Sequence, residues 1–201
     1  IDCIIHCAGK TNIGSSADNF KLINVQFTKN LAECAFKSGV KRFIFLSSIK
    51  VNGENTTKKN KIKVFDHNND PNPQDSYAIS KKEAEKLLQD IALKTGLEVV
   101  IVRLPLVYGS GVKGNLKRLI KLIKLRVPLP FKKIKNKRSL IGIDNVIDLL
   151  IRCIEHPNAV GKTFLASDGN DLSTPELMKL IASAMGQSIK FFSFPIGLLK
   201  F

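Results

Sequence analysis

No Asp or Glu occurs between Val99 and Ile143, a stretch that holds twelve Lys and Arg. Such a stretch attracts phosphate, whether on a nucleotide, a nucleic acid or a membrane surface; a solvated lysine-rich face is the plainer reading. The whole chain carries a net charge of +15. No apolar run reaches the ~18 residues a membrane-spanning helix needs, and no signal-peptide pattern is seen; segments beyond either end stay open. The closing "FFSFPIGLLKF" is short and broken by Pro195, so it is expected to be the first half of a packed element. There is no C-x-x-C pair. Cys3, Cys7, Cys34 and Cys153 are therefore expected to be free thiols in a reducing cytoplasm. Cys3, His6 and Cys7 sit in a buried-strand pattern, and no metal site is expected there. Internal repeats and low-complexity tracts are absent. The chain starts with Ile1 inside a strand-like run, so a fragment with an upstream start is expected.

What is present suits a globular α/β protein. The 201 residues, 44% of them hydrophobic, can build one sizeable core or one domain with a smaller lobe. Asp2 to Cys7 reads as a buried strand ending in Ala8-Gly9. Asp18 can cap a helix that carries Phe20, Ile23, Phe27, Leu31, Cys34 and Ala35 at helical spacing. "RFIFLSS" is a second buried strand, and the polar stretch from Gly53 to Asp75 is a long loop. Ser76 opens a helix that Gly96 closes, and "LEVVIVRLPLVYG" is a third strand. Alternation of strand and helix predicts βαβ units and a parallel sheet with both faces covered. A basic helix from Asn115, a strand and helix over "RSLIGIDNVIDLLIRCI", a strand at "KTFLAS" and a helix opened by Ser173-Thr174-Pro175-Glu176 follow.

Two features bear chemistry. Tyr77 and Lys81, at i and i+4, fall on one helix face a turn apart. A phenol titrates near ~10, too high for a base at neutral pH, and a nearby ammonium favours its ionised form. Such a tyrosine can take a proton from an alcohol while hydride leaves the same carbon. Alone the pair is a weak signal in a lysine-rich chain. Ser47-Ser48 strengthen it, because they end a buried strand where parallel sheets bind ligands. The second feature is "GSGVKG", Gly109 to Gly114, which has the G-x-G-x-x-G form of a dinucleotide loop. The acidic residue that form requires ~20 positions on is missing: the first after Gly114 is Asp144.

"IIHCAG", "INVQFTKNLAECAFKSGVKRFIFLSS", "SSIKVNGE", "SYAISK", "VRLPLVYG" and "RSLIGIDNV" resemble, in order and spacing, blocks of the extended short-chain dehydrogenase/reductase family, the sugar-nucleotide epimerases and dehydratases. The resemblance covers nearly the whole chain. It implies a Rossmann-type doubly wound parallel sheet, N-terminally truncated, over residues 1–108. Residues 109–201 would form a small C-terminal substrate lobe interleaved with the last Rossmann elements. Tyr77 would be the catalytic acid/base, Lys81 would lower its pKa and bond the nicotinamide ribose, and Ser48 would hold the substrate oxygen. Ala8, Gly9 and Pro105 would lie along the cofactor, Ser47 would contact the cofactor or the backbone, and Asn24 would be the family's structural or cofactor-contacting asparagine. Arg138 would pair with the substrate diphosphate, for which an always-charged bidentate guanidinium is suited, and Asn115 could reach the sugar nucleotide. "GSGVKG" would then belong to the turn into the substrate lobe, the true glycine motif lying upstream.

Departures from the family pattern narrow the reading. Ile49 and Lys50 stand where the 4,6-dehydratases have acidic residues, which argues against elimination, and Asn52 replaces the usual tyrosine of V-Y-G. "SSIKVNGE" is similar to a polysaccharide-biosynthesis subgroup acting on UDP-linked N-acetylated hexoses. The expected function is thus a cytoplasmic, NAD-dependent nucleotide-sugar 4-epimerase of surface polysaccharide biosynthesis, homodimeric at full length, with NADP left open. A UDP-4-keto-sugar reductase or dehydrogenase, a short-chain reductase of a non-sugar substrate, and a basic non-catalytic binding protein are the alternatives. Nucleic acid is not the expected partner, since Phe131 is the one aromatic residue among the basic residues of 113–138. Without its first βαβ unit the piece is not expected to hold cofactor.

Overall fold

The computed structural model describes residues 1–11, 16–58, 61–62, 64–112 and 114–195. Lys113 of the glycine-rich turn and the end of the closing apolar run lie outside them. In chain order the elements are β1 (Cys3–His6), α1 (Ala17–Phe20), a π-helical stretch (Lys21–Gln26), α2 (Phe27–Lys37), β2 (Arg42–Ser48), β3 (Thr57–Lys58), β4 (Lys61–Ile62), α3 (Ser76–Thr95), β5 (Glu98–Leu104), β6 (Leu106–Tyr108), α4 (Gly114–Lys124), β7 (Leu140–Gly142), α5 (Ile143–Glu155), β8 (Thr163–Leu165) and α6 (Thr174–Ala184).

The chain divides into two compact units, 1–105 with 146–166, and 106–145 with 167–201. The crossing falls at Pro105, three residues before the expected boundary at 108, and α5 and β8 return to the first unit.

The first unit is built on a parallel sheet of order β1-β2-β5-β8. Its central strands are apolar throughout because both faces are covered. Phe43, Phe45, Val99 and Ile101 point to one face and pack with Ala32 and Ala35 of α2 and Ala84, Leu88 and Ile91 of α3. Ile44, Val100 and Val102 point to the opposite face and are equally buried. Arg42 Nη1 donates to the carbonyls of Cys153 (2.8 Å), Ile154 (2.6 Å) and His156 (3.2 Å). These are the orphan acceptors at the end of α5, where a cation also meets the negative pole of the helix.

Local structure departs from expectation at four places. Ser16, not Asp18, caps α1, its side chain accepting from Asn19 N–H, and Asp18 sits in the first turn. The helix then widens to a π-turn over Lys21–Gln26, which no periodicity rule anticipates. The loop after β2 contains the short antiparallel β3–β4 pair. The third strand is two strands in two sheets, β5 and β6, because Pro105 has no N–H for the ladder.

The second unit pairs β6 with β7 in parallel. Ser173 caps α6 in a reciprocal capping box with Glu176, as the sequence signals. Ile123, Leu129, Phe131, Met178 and Ala182 form its main core. No helix among the described residues is long and apolar enough to cross a membrane.

Candidate active site

The carboxyl end of β2 and the first two turns of α3 bring the candidate groups of the first unit together. Asp75 caps α3, its Oδ1 accepting from Ala78 N–H at 2.7 Å. That cap starts the helix where Tyr77 and Lys81 share a face. Ser48 ends β2 and caps the 3₁₀ turn Ile49–Val51, its Oγ accepting from Lys50 N–H at 3.3 Å. Ser48 faces the Tyr77 phenol and draws its pKa down. Ser48 is thus oriented by a backbone donor.

Burial has the larger effect on Tyr77. It pushes the phenol above its ordinary value, the Asp75 charge adds to the rise, and Ser48 and the Lys50 cation oppose it. Lys81 is not among the groups that act on this pKa here. The Lys81 ammonium is turned elsewhere: it donates to the Leu46 carbonyl at 2.8 Å and lies 4.4 Å from the centre of the Phe45 ring. Lys81 is 4% exposed, and burial lowers its pKa to about 8 against the pull of Glu85 and Cys7.

Gly9 lies directly beside this lysine. A Cβ there would stand 3.3 Å from both Lys81 Nζ and Asn24 Oδ1. Asn24 sits in the π-turn and is 1% exposed. Its Oδ1 accepts from Lys10 N–H at 2.7 Å, and its Nδ2 donates to Lys10 O at 3.0 Å and to Ser80 Oγ at 2.9 Å. Both amide hydrogens are spent inside the protein, so Asn24 clasps the segment after β1 to α3. His6 is a core residue. Thr28 Oγ1 donates to Asn24 O at 2.7 Å and so must accept from His6 Nε2 at 2.9 Å, fixing the Nε2–H tautomer. Burial and the Lys81 charge lower the His6 pKa to about 4, and the ring is neutral.

Two observations bear on a bound cofactor. Ser47 Oγ is buried and has no hydrogen-bond partner among the described residues. Such an orphaned group costs stability unless something completes it. At Gly9 the backbone is bare, and a Cβ there would crowd Lys81 Nζ and Asn24 Oδ1. From Ala8 an apolar hollow of about 440 Å³ continues along Leu22, Ile23, Gln26, Phe27 and Asn30. The residues present therefore fit a dinucleotide lying across Ala8, Gly9 and Ser47. Pro105 ends the first segment of this unit. Among the described residues no group of three or more His, Cys, Asp or Glu could hold a metal ion.

Asn115 and Arg138 belong to the second unit. Asn115 is exposed in the first turn of α4. Arg138 is exposed, and its backbone exchanges hydrogen bonds with Leu172 at 2.9 and 3.0 Å. The glycines of "GSGVKG" are a turn: Gly109, Gly111 and Gly114 have φ of 148°, 72° and 67°. At Gly109 a Cβ would stand 2.4 Å from Ile143 Cγ2, so the close approach itself demands glycine. Beside it Asp168 accepts from Tyr108 Oη at 2.8 Å, Asn145 Nδ2 at 2.7 Å and Gly142 N–H at 3.1 Å.

Residues 1–166 match the NAD dependent epimerase/dehydratase family. The chain belongs to that family. It is 42% identical to a UDP-glucose 4-epimerase of Vibrio cholerae over 203 residues, 98% of this chain and 61% of that protein. It is 27% identical to the N-acetyl-alpha-D-glucosaminyl-diphospho-ditrans,octacis-undecaprenol 4-epimerase of Escherichia coli O157:H7, covering 88% of this chain and 53% of that one. The fold matches UDP-glucuronic acid 4-epimerase from Bacillus cereus in complex with NAD, with a TM-score of 0.83 and 22% identity over 96% of this chain and 63% of that one. The chain thus spans less than two thirds of the length of these relatives.

Three contributors escaped the reading of the sequence. Lys50 was noted only as a departure, yet its Nζ reaches Asp75 Oδ2 at 2.7 Å and Glu54 Oε1 at 2.8 Å. Ser80 anchors Asn24. Glu85 pairs with Arg103 at 3.0 Å through Nε and at 2.6 Å through Nη2, and Arg103 also holds Asn52 at 2.9 Å. The i, i+4 spacing of Lys81 and Glu85 was the one visible signal for the last.

Proposed function

We propose that this chain carries the Ser/Tyr/Lys site of a nucleotide-sugar 4-epimerase. The observation that carries the reading is the convergence of Ser48, at the carboxyl end of β2, on the Tyr77 phenol, with Lys81 buried one turn further along the same helix. The identity with the Vibrio UDP-glucose 4-epimerase supports the choice of reaction and of a UDP-sugar as substrate. Lys50 in place of an acid, itself bound to two carboxylates, disfavours elimination.

NAD, when bound, supplies the acceptor and donor of hydride at C4. The chain's own residues orient and move protons. Ser48 holds the sugar 4-oxygen beside the Tyr77 phenol. Tyr77 takes the hydroxyl proton as the alcohol becomes a ketone, and returns it when the alcohol re-forms on the other face. A phenol held high by burial is a poor base, so the reading requires Lys81 to swing from Leu46 O towards cofactor and phenol, where its charge favours the phenolate. With a pKa of about 8, Lys81 is mostly charged at neutral pH. Ala8, Gly9, Asn24, Ser47 and Pro105 would border the cofactor, and Asn115 and Arg138 the sugar nucleotide.

The test is product analysis by proton NMR after the full-length natural protein meets UDP-glucose, UDP-galactose and their N-acetylated counterparts. Interconversion at C4 with no net redox change is expected. Net oxidation or reduction favours the dehydrogenase reading. UDP-sugar binding that weakens in Arg138→Ala supports the sugar-nucleotide reading, and no UDP-sugar binding by the unmutated protein would favour a non-sugar substrate.

A further inference from the structure

Lys50 is joined to both halves of the candidate site. Its backbone N–H is the donor that orients Ser48 Oγ, at 3.3 Å. Its side chain crosses to α3, where Nζ meets Asp75 Oδ2 at 2.7 Å, and Glu54 Oε1 holds the same ammonium at 2.8 Å. Asp75 uses its other oxygen to cap the helix that starts at Ser76. One residue therefore spans from the hydroxyl that ends β2 to the cap of the helix that carries Tyr77. The turn beneath it is fixed as well: Asn52 N–H bonds Ile49 O at 2.9 Å, and Arg103 Nη1 bonds Asn52 Oδ1 at 2.9 Å.

We propose that Lys50 is a positioning residue of this site, whose ammonium, gripped by Asp75 and Glu54, ties the serine strand to the cap of the tyrosine helix and fixes the Ser48–Tyr77 pair. The inference rests on the epimerase reading for its kinetic consequence, but not for the clamp itself.

Magnitudes separate this role from a stabilising one. Lys50, Glu54 and Asp75 expose about two fifths of their side chains, at 40%, 39% and 41%. Ion pairs so exposed are worth ~0–1 kcal/mol, so stability hardly depends on them. A displacement of ~1 Å between reacting groups can nevertheless cost ~100-fold in rate. The electrostatics point the same way. Burial opposes the Lys50 charge, yet its bonds to Asp75 and Glu54 outweigh burial and raise its pKa. Burial likewise opposes the Asp75 charge, and the Lys50 and Ala78 bonds outweigh it and lower that pKa. The charged and polar groups facing Tyr77 here are Ser48 and Lys50 from the strand side and Asp75 from its own helix. Removing the Lys50 charge would leave the Asp75 charge without an opposing cation and push the phenol higher still.

The test compares Lys50→Met, Lys50→Arg and the unmutated full-length natural protein. Lys50→Met should lower kcat at least ~10-fold, leave KM within ~2-fold, and move the alkaline limb of the kcat–pH profile. Lys50→Arg should restore most of the rate. In parallel, the Asp75 carboxyl is titrated by carbon-13 NMR, a measurement that needs no turnover. Its midpoint should rise in Lys50→Met and stay depressed in Lys50→Arg. An unchanged kcat in Lys50→Met, an Arg variant as impaired as the Met variant, or an Asp75 midpoint that does not move would overturn the proposal. If the unmutated protein turned over no UDP-sugar, the epimerase reading would fail, and the Asp75 titration would still decide the clamp.

Discussion

Gly9 faces Lys81 so closely that a methyl group on residue 9 would stand 3.3 Å from the ammonium. The far end of a lysine can give way, so a Gly9→Ala protein should fold with a stability within ~1 kcal/mol of the original. The ammonium is held here by the Leu46 carbonyl and the Phe45 ring. Crowding it should therefore show in function, as weaker NAD binding by titration and a turnover lowered ~10-fold or more. Unchanged cofactor affinity and turnover would mean that this contact does not matter.

The ion pair of Arg103 and Glu85 is buried on both sides, with side-chain exposures of 6% and 5%. Arg103→Met strands a carboxylate in the interior and should cost ~3–5 kcal/mol in urea unfolding. The double variant Arg103→Met/Glu85→Leu should recover most of that loss, because no unpaired charge remains. A single variant within ~1 kcal/mol of the original would contradict the buried geometry.

His6 makes stability depend on pH. Its folded pKa of about 4 lies below the ordinary 6.5, with burial as the main cause. The unfolded chain therefore binds the extra proton first as pH falls, and stability drops between pH 6.5 and pH 4 by up to ~3 kcal/mol. Asp75, with its depressed pKa, adds a loss of the same sign at lower pH. His6→Gln should flatten the upper part of that decline in thermal midpoints recorded from pH 7 to pH 4. An equally steep decline in the variant would assign the effect to other groups.

The glycines of the turn after β6 are not equivalent. Gly109→Ala adds a methyl 2.4 Å from Ile143 Cγ2, on a backbone at φ 148°. Gly111, at φ 72°, has open space around its absent side chain. Alanine at 111 should cost ~1 kcal/mol for the left-handed backbone alone, and alanine at 109 at least ~2 kcal/mol because overpacking is added. Equal urea midpoints for the two variants would refute this reading of "GSGVKG" as a packed turn.

Much of this architecture could be read from the residues. Phe43 to Leu46 and Val99 to Val102 are apolar without alternation, which marks strands covered on both faces. Gly96 and the Ser173–Glu176 box mark helix ends by local chemistry, and local chemistry is what a sequence displays. The i, i+4 spacing of Tyr77 and Lys81 placed both on one face. Spacing says nothing of depth, however, and it is burial that raises the Tyr77 pKa and turns Lys81 to Leu46. Asp75 lies 25 positions from Lys50, and Ser80 56 from Asn24. Neither pairing has a periodicity to betray it. The π-turn that delivers Asn24 likewise follows from tertiary bonds to Lys10 and Ser80 rather than from propensity.

The most direct test of the account is Tyr77→Phe in the full-length natural protein, assayed by proton NMR with UDP-glucose and UDP-N-acetylglucosamine. The variant keeps the ring against Phe20 and loses only the hydroxyl that Ser48 faces. The account predicts that C4 epimerisation falls by at least ~100-fold while UDP-sugar affinity stays within ~3-fold of the unmutated value. Near-normal epimerisation by Tyr77→Phe would contradict it.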